Sequence, residues 1–404
     1  MHNVTKQIKA LVRPFVPATI RRHIRRWRKQ WVVSRTVRMR QQVSNQGKNA
    51  WGVTLIGDTH RGNGLGEAGR ISLQCLRHAG VPTQEVPLSD ENLSGMNSPY
   101  QVVMIHTNPD QLDEVCQMLP TAQWRGKYVI GDWIWEQETL PDWWVPYFDL
   151  FDEIWTPSGF AAGAIRKATK KPVRVLPLAV EPQCDEDWNR ASFGLPDNLF
   201  LCLVAFDYHS VFARKNPDGA IRAFCQAFGD CRECVGLVLK ARNTPPEVLS
   251  ELRNSLRDWP NVFFLTEEYT KTQVNSLIRA VDVYISLHRA EGFGLVLAEA
   301  MYLGTPVVAT NWSGNTEFMN SDVACMVKAP LVTLQKDELP FLKGSRWAEP
   351  DIDEATAYLR RLFDEPQWRG ELAARAASYI REQLSVQAVS ARLQEYLLEI
   401  KEKL

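Results

Sequence analysis

From Trp51 onward the chain alternates short apolar runs with stretches of helical period, and that alternation predicts an α/β protein with parallel strands. The candidate strands fall into two sets. The first comprises 53–56, 102–105, 128–130, 153–156 and 173–176, and the second 200–205, 236–240, 262–265, 281–287 and 306–309. Between them, Pro177-Leu178-Ala179-Val180-Glu181-Pro182 carries two prolines and no helical period, so it reads as a linker. Two doubly wound units joined there would face each other across a cleft. In open α/β sheets ligands sit outside the carboxyl ends of the strands, so the residues that follow strands matter most. At the end of the chain, Val389, Leu393, Leu397 and Ile400 fall on one stripe of an amphipathic helix over 386–404.

Length changes this picture little: 404 residues are too many for one ordinary core and suit two large domains. The expected division is a basic arm at 1–48, a first Rossmann-like unit at 49–180 joined by the last helix at 385–404, and a second unit at 181–384. Charge changes it more. The net charge is zero, yet the first 50 residues hold 13 Lys and Arg and no Asp or Glu, so residues 51–404 carry 34 basic against 47 acidic side chains, 34 − 47 = −13. Within the arm, Ile20, Ile24, Trp27 and Trp31 form one helical stripe surrounded by arginines, a pattern suited to an anionic membrane surface over residues 13–40. Docking of the same basic helix on the protein's own acidic body is the other reading. No apolar run is long enough to span a bilayer, and the N-terminus lacks the apolar core of a signal peptide, which predicts a cytoplasmic protein held peripherally at the inner face of the membrane. Eight scattered cysteines suggest reduced thiols, and Cys225, Cys231 and Cys234 lack a fourth ligand nearby for zinc.

The richest chemistry lies between Ala290 and Phe318. Glu291 and Glu299 bracket a turn holding Gly292, Phe293, Gly294 and Leu295, which leads from an apolar strand into a helix ending at Gly304-Thr305-Pro306. Glycines let backbone approach a ligand, a helix N-terminus favours an anion, and carboxylates accept bonds from hydroxyls. Together these suit a sugar nucleotide. A second turn, Ser313-Gly314-Asn315-Thr316-Glu317, follows the next strand. Departure of a nucleoside diphosphate builds negative charge, which fixed cations can stabilise. Arg214-Lys215-Asn216-Pro217 supplies two cations before a helix, and Lys240 ends an apolar strand.

The two glutamates, the inner E-G-F-G, the strand G-T-P-V-V-A-T and the S-G-N-T-E turn resemble the retaining glycosyltransferases of family 4, with their E-x7-E signature, over roughly residues 52–404. The resemblance implies the GT-B fold: two Rossmann-like doubly wound domains facing a cleft, with the last helix crossing back to the first. It implies a hexosyltransferase of polysaccharide or lipopolysaccharide biosynthesis, taking a UDP- or GDP-sugar to a lipid-linked or polysaccharide glycan with retention, without metal or cofactor. Glu299 would hold the donor ribose and Glu291 the hydroxyls of the transferred sugar. Ser313, Gly314 and the E-G-F-G turn would line the donor site, and Lys215 would neutralise the diphosphate. The family's usual arginine slot is occupied here by Asp207-Tyr208-His209-Ser210, so Arg214 or Lys240 would take that role.

On the first unit, Gly62-Asn63-Gly64-Leu65-Gly66-Glu67 follows the first strand but lacks the third glycine of a dinucleotide fingerprint, which argues against NAD. By resemblance this loop faces the acceptor and the donor diphosphate. Gly131-Asp132-Trp133-Ile134-Trp135-Glu136 is dense in indoles, which pack on sugar faces or fill cores with equal ease. His106 follows another strand and either faces the cleft or is structural. Gly64, Gly66, Glu67, His106, Trp135 and Glu136 are thus the acceptor-side candidates. Asp351-Ile352-Asp353 has the letters of a metal motif, but its acids suit a helix start. Two rivals remain. A sugar-nucleotide epimerase on the same fold would consume donor without acceptor, and a non-catalytic scaffold would bind nucleic acid through the arm, a partner not otherwise expected.

Overall fold

The computed structural model describes residues 31–40, 49–120 and 123–404. Six parallel strands make the first sheet: β1 (Ala50–Gly57), β2 (Thr83–Pro87), β3 (Tyr100–His106), β4 (Tyr128–Asp132), β5 (Glu153–Thr156) and β6 (Val173–Val175), in the order β2-β1-β3-β4-β5-β6. A second sheet contains β7 (Phe200–Asp207), β8 (Val235–Arg242), β9 (Val262–Leu265), β10 (Val283–Ser286), β11 (Val307–Thr310) and β12 (Cys325–Val327), ordered β12-β11-β10-β7-β8-β9. In each sheet the chain reverses direction once, between β1 and β3 and between β7 and β10. Crevices at such switch points are where open α/β sheets bind ligands.

All ten expected strands are present, and two were missed. β2 is an edge strand whose T-Q-E-V-P is mostly half-exposed, so it shows no apolar run, and β12 has only three residues. A third element was not foreseen: β13 (Leu331–Thr333) and β14 (Arg346–Ala348) pair antiparallel as a hairpin arm. It carries Leu334, Phe341 and Trp347 into the same core cluster as Trp133, Trp135 and Trp144 of the first unit.

The final helix, Val386–Lys403, packs on the helix Gly64–His78 of the first unit and buries Val389, Leu393, Leu397 and Ile400, as the apolar stripe required. Polar bonds fix its course. Arg174 bridges the buried Glu153 and Glu399 at 3.2 and 2.7 Å, and the Tyr396 hydroxyl donates to the Val175 carbonyl at 3.1 Å. The proline-rich linker is buried at Leu178, Ala179 and Val180, and the Val180 N–H donates to the Leu384 carbonyl at 2.7 Å.

The basic arm is described only over 31–40, which is helical, so the stripe at Ile20, Ile24 and Trp27 lies outside the described residues. Here Val32, Val33 and Thr36 are buried, the two valines in a cluster with Leu112, Val115, Cys116 and Leu119. Arg40 donates to the Leu150 carbonyl at 2.9 Å and pairs with Asp152. This part of the arm therefore docks on the protein's own body, leaving Trp31 about half exposed, at 48%. Among the described residues no helix is long and apolar enough to cross a membrane.

Candidate active site

The second-domain half is built at the ends of β7 and β10. Asn216 takes a left-handed conformation (φ 51°), donates its amide to the Leu287 carbonyl at 2.8 Å and caps the helix Pro217–Ala227. That anchor delivers the two preceding cations. Arg214, 5% exposed, donates to the carbonyls of Ala290 (2.6 Å) and Ser210 (3.1 Å), and Lys215 reaches the Glu291 carboxylate at 2.5 Å. Arg214 also lies 3.1 Å from the same Glu291 oxygen. Burial opposes charge on Glu291, but Lys215, Arg214 and His288 together outweigh it and hold the carboxyl down at about 2. One ionised carboxylate thus fixes two cations.

The turn behind them is set by close backbone approach. A Cβ on Gly314 would lie 2.2 Å from the Gly292 carbonyl oxygen, so only glycine lets the two turns cross. Gly294, at φ 91°, starts the helix Leu295–Tyr302, and Phe293 is buried against Phe318. Ser313 accepts the Glu291 N–H on its hydroxyl at 2.8 Å. Glu299, 3% exposed, points to Lys271 at 2.5 Å; burial raises its carboxyl and Lys271 opposes that. Lys240 stands near the carboxyl end of β8, apart from the Arg214–Lys215 pair. Its ammonium donates to the Glu267 carbonyl at 2.8 Å and sits 4.9 Å over the Tyr269 ring, and burial lowers its pKa. Of the two candidates for the missing arginine, Arg214 is the one that joins Lys215.

On the first-domain side, Asn63 caps the helix Gly64–His78 by accepting the Gly66 N–H at 2.8 Å. Gly66 is required, since a Cβ there would stand 2.2 Å from the Arg61 carbonyl, whereas Gly64 opens on free space. Glu67 pairs with Arg70 and adds repulsion to Glu299 across the cleft. His106 is fully buried, with Nδ1 at 2.6 Å from an Asp132 oxygen and Nε2 at 2.8 Å from the Leu65 carbonyl. Burial pushes up the Glu136 carboxyl, Arg214 and Lys215 oppose the rise, and Glu291 reinforces it. Glu136 therefore meets the second-domain cluster electrostatically.

The indoles resolve towards the core. Trp133, Trp135 and Trp144 are 0, 3 and 2% exposed and pack together at centroid distances of 4.6–5.7 Å, with Phe341 of the hairpin 6.0 Å from Trp135. In this arrangement Trp135 offers no ring face to a sugar. Asp351, in turn, caps the helix Ile352–Asp364, accepting from the backbone of Asp353 and Glu354 at 3.0 and 3.1 Å. Among the described residues no three His, Cys, Asp or Glu side chains gather as metal ligands.

Sequence reasoning missed a supporting chain. Arg289 donates to the Ala213 carbonyl at 2.6 Å, its N–H to the Arg214 carbonyl at 2.7 Å, and its guanidinium grips Glu349 twice at 2.8 Å. It missed the interdomain contacts too. The Ser158 hydroxyl donates to the Gly292 carbonyl (2.6 Å), the Gly159 N–H to Glu317 (2.7 Å), Arg346 to Glu138 (2.8 Å) and Arg242 to the Gly62 carbonyl. Pairs so far apart in sequence leave no local signal.

Residues 203–383 match the family model described as glycosyl transferases group 1. A curated relative, Protein CapJ of Staphylococcus aureus, is 31% identical over 78 residues, 19% of this chain and a fifth (20%) of that protein's length. Among solved structures, Anabaena Alr3699/HepE in complex with UDP and glucose superposes with a TM-score of 0.63 at 14% identity, covering 87% of this chain and 100% of that one. A glycosyltransferase from Rickettsia africae ESF-5 gives 0.64 at 11% identity, covering 87% and 99%. With the two parallel six-stranded sheets and the returning final helix, these likenesses establish the GT-B fold.

Proposed function

We propose that the protein is a glycosyltransferase that moves a sugar from a nucleoside-diphosphate donor to a glycan acceptor, with family 4-like retention and no metal. The observation that carries this reading is the Arg214–Lys215–Glu291 cluster, mounted at the β7/β10 switch point inside the segment that matches the group 1 model. Its two cations are fixed before any substrate arrives, which is what stabilisation of a departing diphosphate requires. The donor diphosphate would then compete with Glu291 for Lys215, the more exposed of the two. Glu291 would turn to the transferred sugar's hydroxyls. Glu299, held by Lys271 on the preceding helix, suits a ribose contact. UDP in the HepE complex favours a UDP-sugar over a GDP-sugar.

The acceptor in this reading is a lipid-linked or polysaccharide glycan, met by the Gly64–Glu67 loop and Glu136. The arm upstream of residue 31 would bring the enzyme to an anionic membrane, with the helix at 31–40 as its mount on the body. The test is product formation from a panel of UDP- and GDP-sugars with membrane extract as acceptor, in excess chelator. Transfer from one donor is expected, with the donor KM raised by Glu299→Ala and kcat little changed. Donor consumption without acceptor would replace transfer by epimerisation. Deletion of residues 1–30 should abolish co-sedimentation with anionic vesicles; binding unchanged at physiological salt would remove the membrane role.

A further inference from the structure

The glycine-rich loop of the first unit is held at an unusual point. His106, at the end of β3, presents both ring nitrogens to oxygen acceptors: Nδ1 to the Asp132 carboxylate at the end of β4, and Nε2 to the backbone carbonyl of Leu65 at the start of the helix Gly64–His78. A carbonyl oxygen only accepts, so Nε2 must carry a hydrogen. A carboxylate accepts as well, so Nδ1 carries the second hydrogen or shares it with Asp132. Beside an ionised Asp132, a neutral imidazole has one N–H and would leave one of these short contacts as two facing lone pairs. Nothing else replaces them: the ring is fully buried, a Cβ on Gly69 would come within 3.0 Å of it and one on Gly57 within 3.1 Å of the His106 Cβ, and the bordering cavity measures about 10 Å³, the lower limit for one water.

We propose that His106 is a positioning residue protonated at neutral pH, an imidazolium that ties the Leu65 carbonyl to Asp132 and so fixes the glycine-rich loop against the cleft. This rests on the reading of that loop as part of a transferase site, but the protonation state does not. The charged groups around the ring are Asp132 on β4 and Asp58 after β1, the latter paired with Arg61 at 2.5 Å, and both carboxylates favour the cation. Burial lowers the pKa of His106, and Asp132, Leu65 and Asp58 outweigh it, for a net rise. The grip is therefore complete below the ordinary value of 6.5 and is lost only as pH rises through the raised folded value. The loop is expected to loosen in alkali, not in acid.

The experiment is ring-nitrogen NMR on the full chain labelled with 15N-histidine, the His106 signals being identified among seven histidines by their loss in His106→Gln. Two protonated nitrogens at pH 7.5 are expected, and a neutral tautomer there would overturn the proposal whatever the enzyme's activity. The second arm follows kcat/KM against pH in wild type and Asp132→Asn. Removing the carboxylate should move the alkaline limb down by about one pH unit or more while sparing the acid side. A limb unmoved by this change would also overturn the proposal, and failure of transfer with two protonated nitrogens would sink only the functional reading.

Discussion

The two halves of the cleft are fastened by opposite means. The second-domain turn is held by an anion: Glu291 is ionised between Lys215 and Arg214, and around it the Gly292 and Gly314 backbones cross. The first-domain loop is held by a cation, His106, between Asp132 and the Leu65 carbonyl. Their pH responses consequently have opposite signs. Glu291 stabilises the fold above its ordinary value of 4.5, and that contribution is lost as pH falls towards about 2, whereas the His106 contribution is lost as pH rises. Between these limits both grips hold, and each half can be released alone.

The largest effect should come from breaking the second half. Lys215→Ala removes the cation that a diphosphate can reach, and we expect a loss on the order of 10²-fold or more in kcat, read in initial-rate assays. Activity within a few-fold of wild type would transfer the role to Arg214. Glu291→Gln attacks the same cluster from the other side. It should lower turnover far more than nucleotide affinity, because its bonds to the sugar strengthen as charge develops. It also leaves the buried Arg214 without its counter-ion, so thermal unfolding should register a cost of about 3 kcal/mol or more. A variant as stable as wild type would mean that the Ala290 and Ser210 carbonyls suffice for the arginine.

On the first-domain side the next effect is structural. Trp135→Ala opens the cluster with Trp144 and the hairpin's Phe341, and about 3–5 kcal/mol of stability should be lost in denaturant titration. If Trp135 were instead a sugar platform, stability would hold and only the acceptor's KM would rise.

What the sequence could and could not say follows the same division. Glu291, Glu299 and the crossing turns were legible because strand, turn and helix keep them within one local pattern, and Lys215 stood out as a cation just after another strand, although its pairing with Glu291, 76 residues away, was not legible. Gly294 has a local backbone reason in its φ of 91°, whereas a Cβ on Gly292 would meet Ile134 of the first unit at 2.5 Å. His106, Asp132 and Leu65 come together only because β1, β3 and β4 are neighbours in the sheet, an order no spacing encodes. Arg289 and Glu349 stand 60 residues apart, and the hairpin that carries Phe341 has no long apolar run. The indoles failed for another reason: an aromatic run looks alike whether it awaits a sugar or fills a core, and only the burial of Trp133, Trp135 and Trp144 separates the two.

The smallest expected effect is the sharpest probe of the first-domain loop. Gly64 and Gly66 sit two residues apart in one motif, yet a Cβ on Gly66 would press to 2.2 Å from the Arg61 carbonyl while one on Gly64 meets nothing within 4 Å. Gly64 also begins the helix Gly64–His78 without a positive φ, so alanine fits its backbone. Gly64→Ala should therefore fold as well as wild type or gain up to about 1 kcal/mol from the better helix former. Any loss in kcat/KM would then reflect a ligand pressed against that exposed backbone. We expect a few-fold fall with unchanged or raised Tm, against a marked fall in both for Gly66→Ala. If Gly64→Ala matches wild-type kcat/KM for donor and acceptor alike, the loop does not touch substrate at residue 64, and the first-domain contact moves to Glu67 and Glu136.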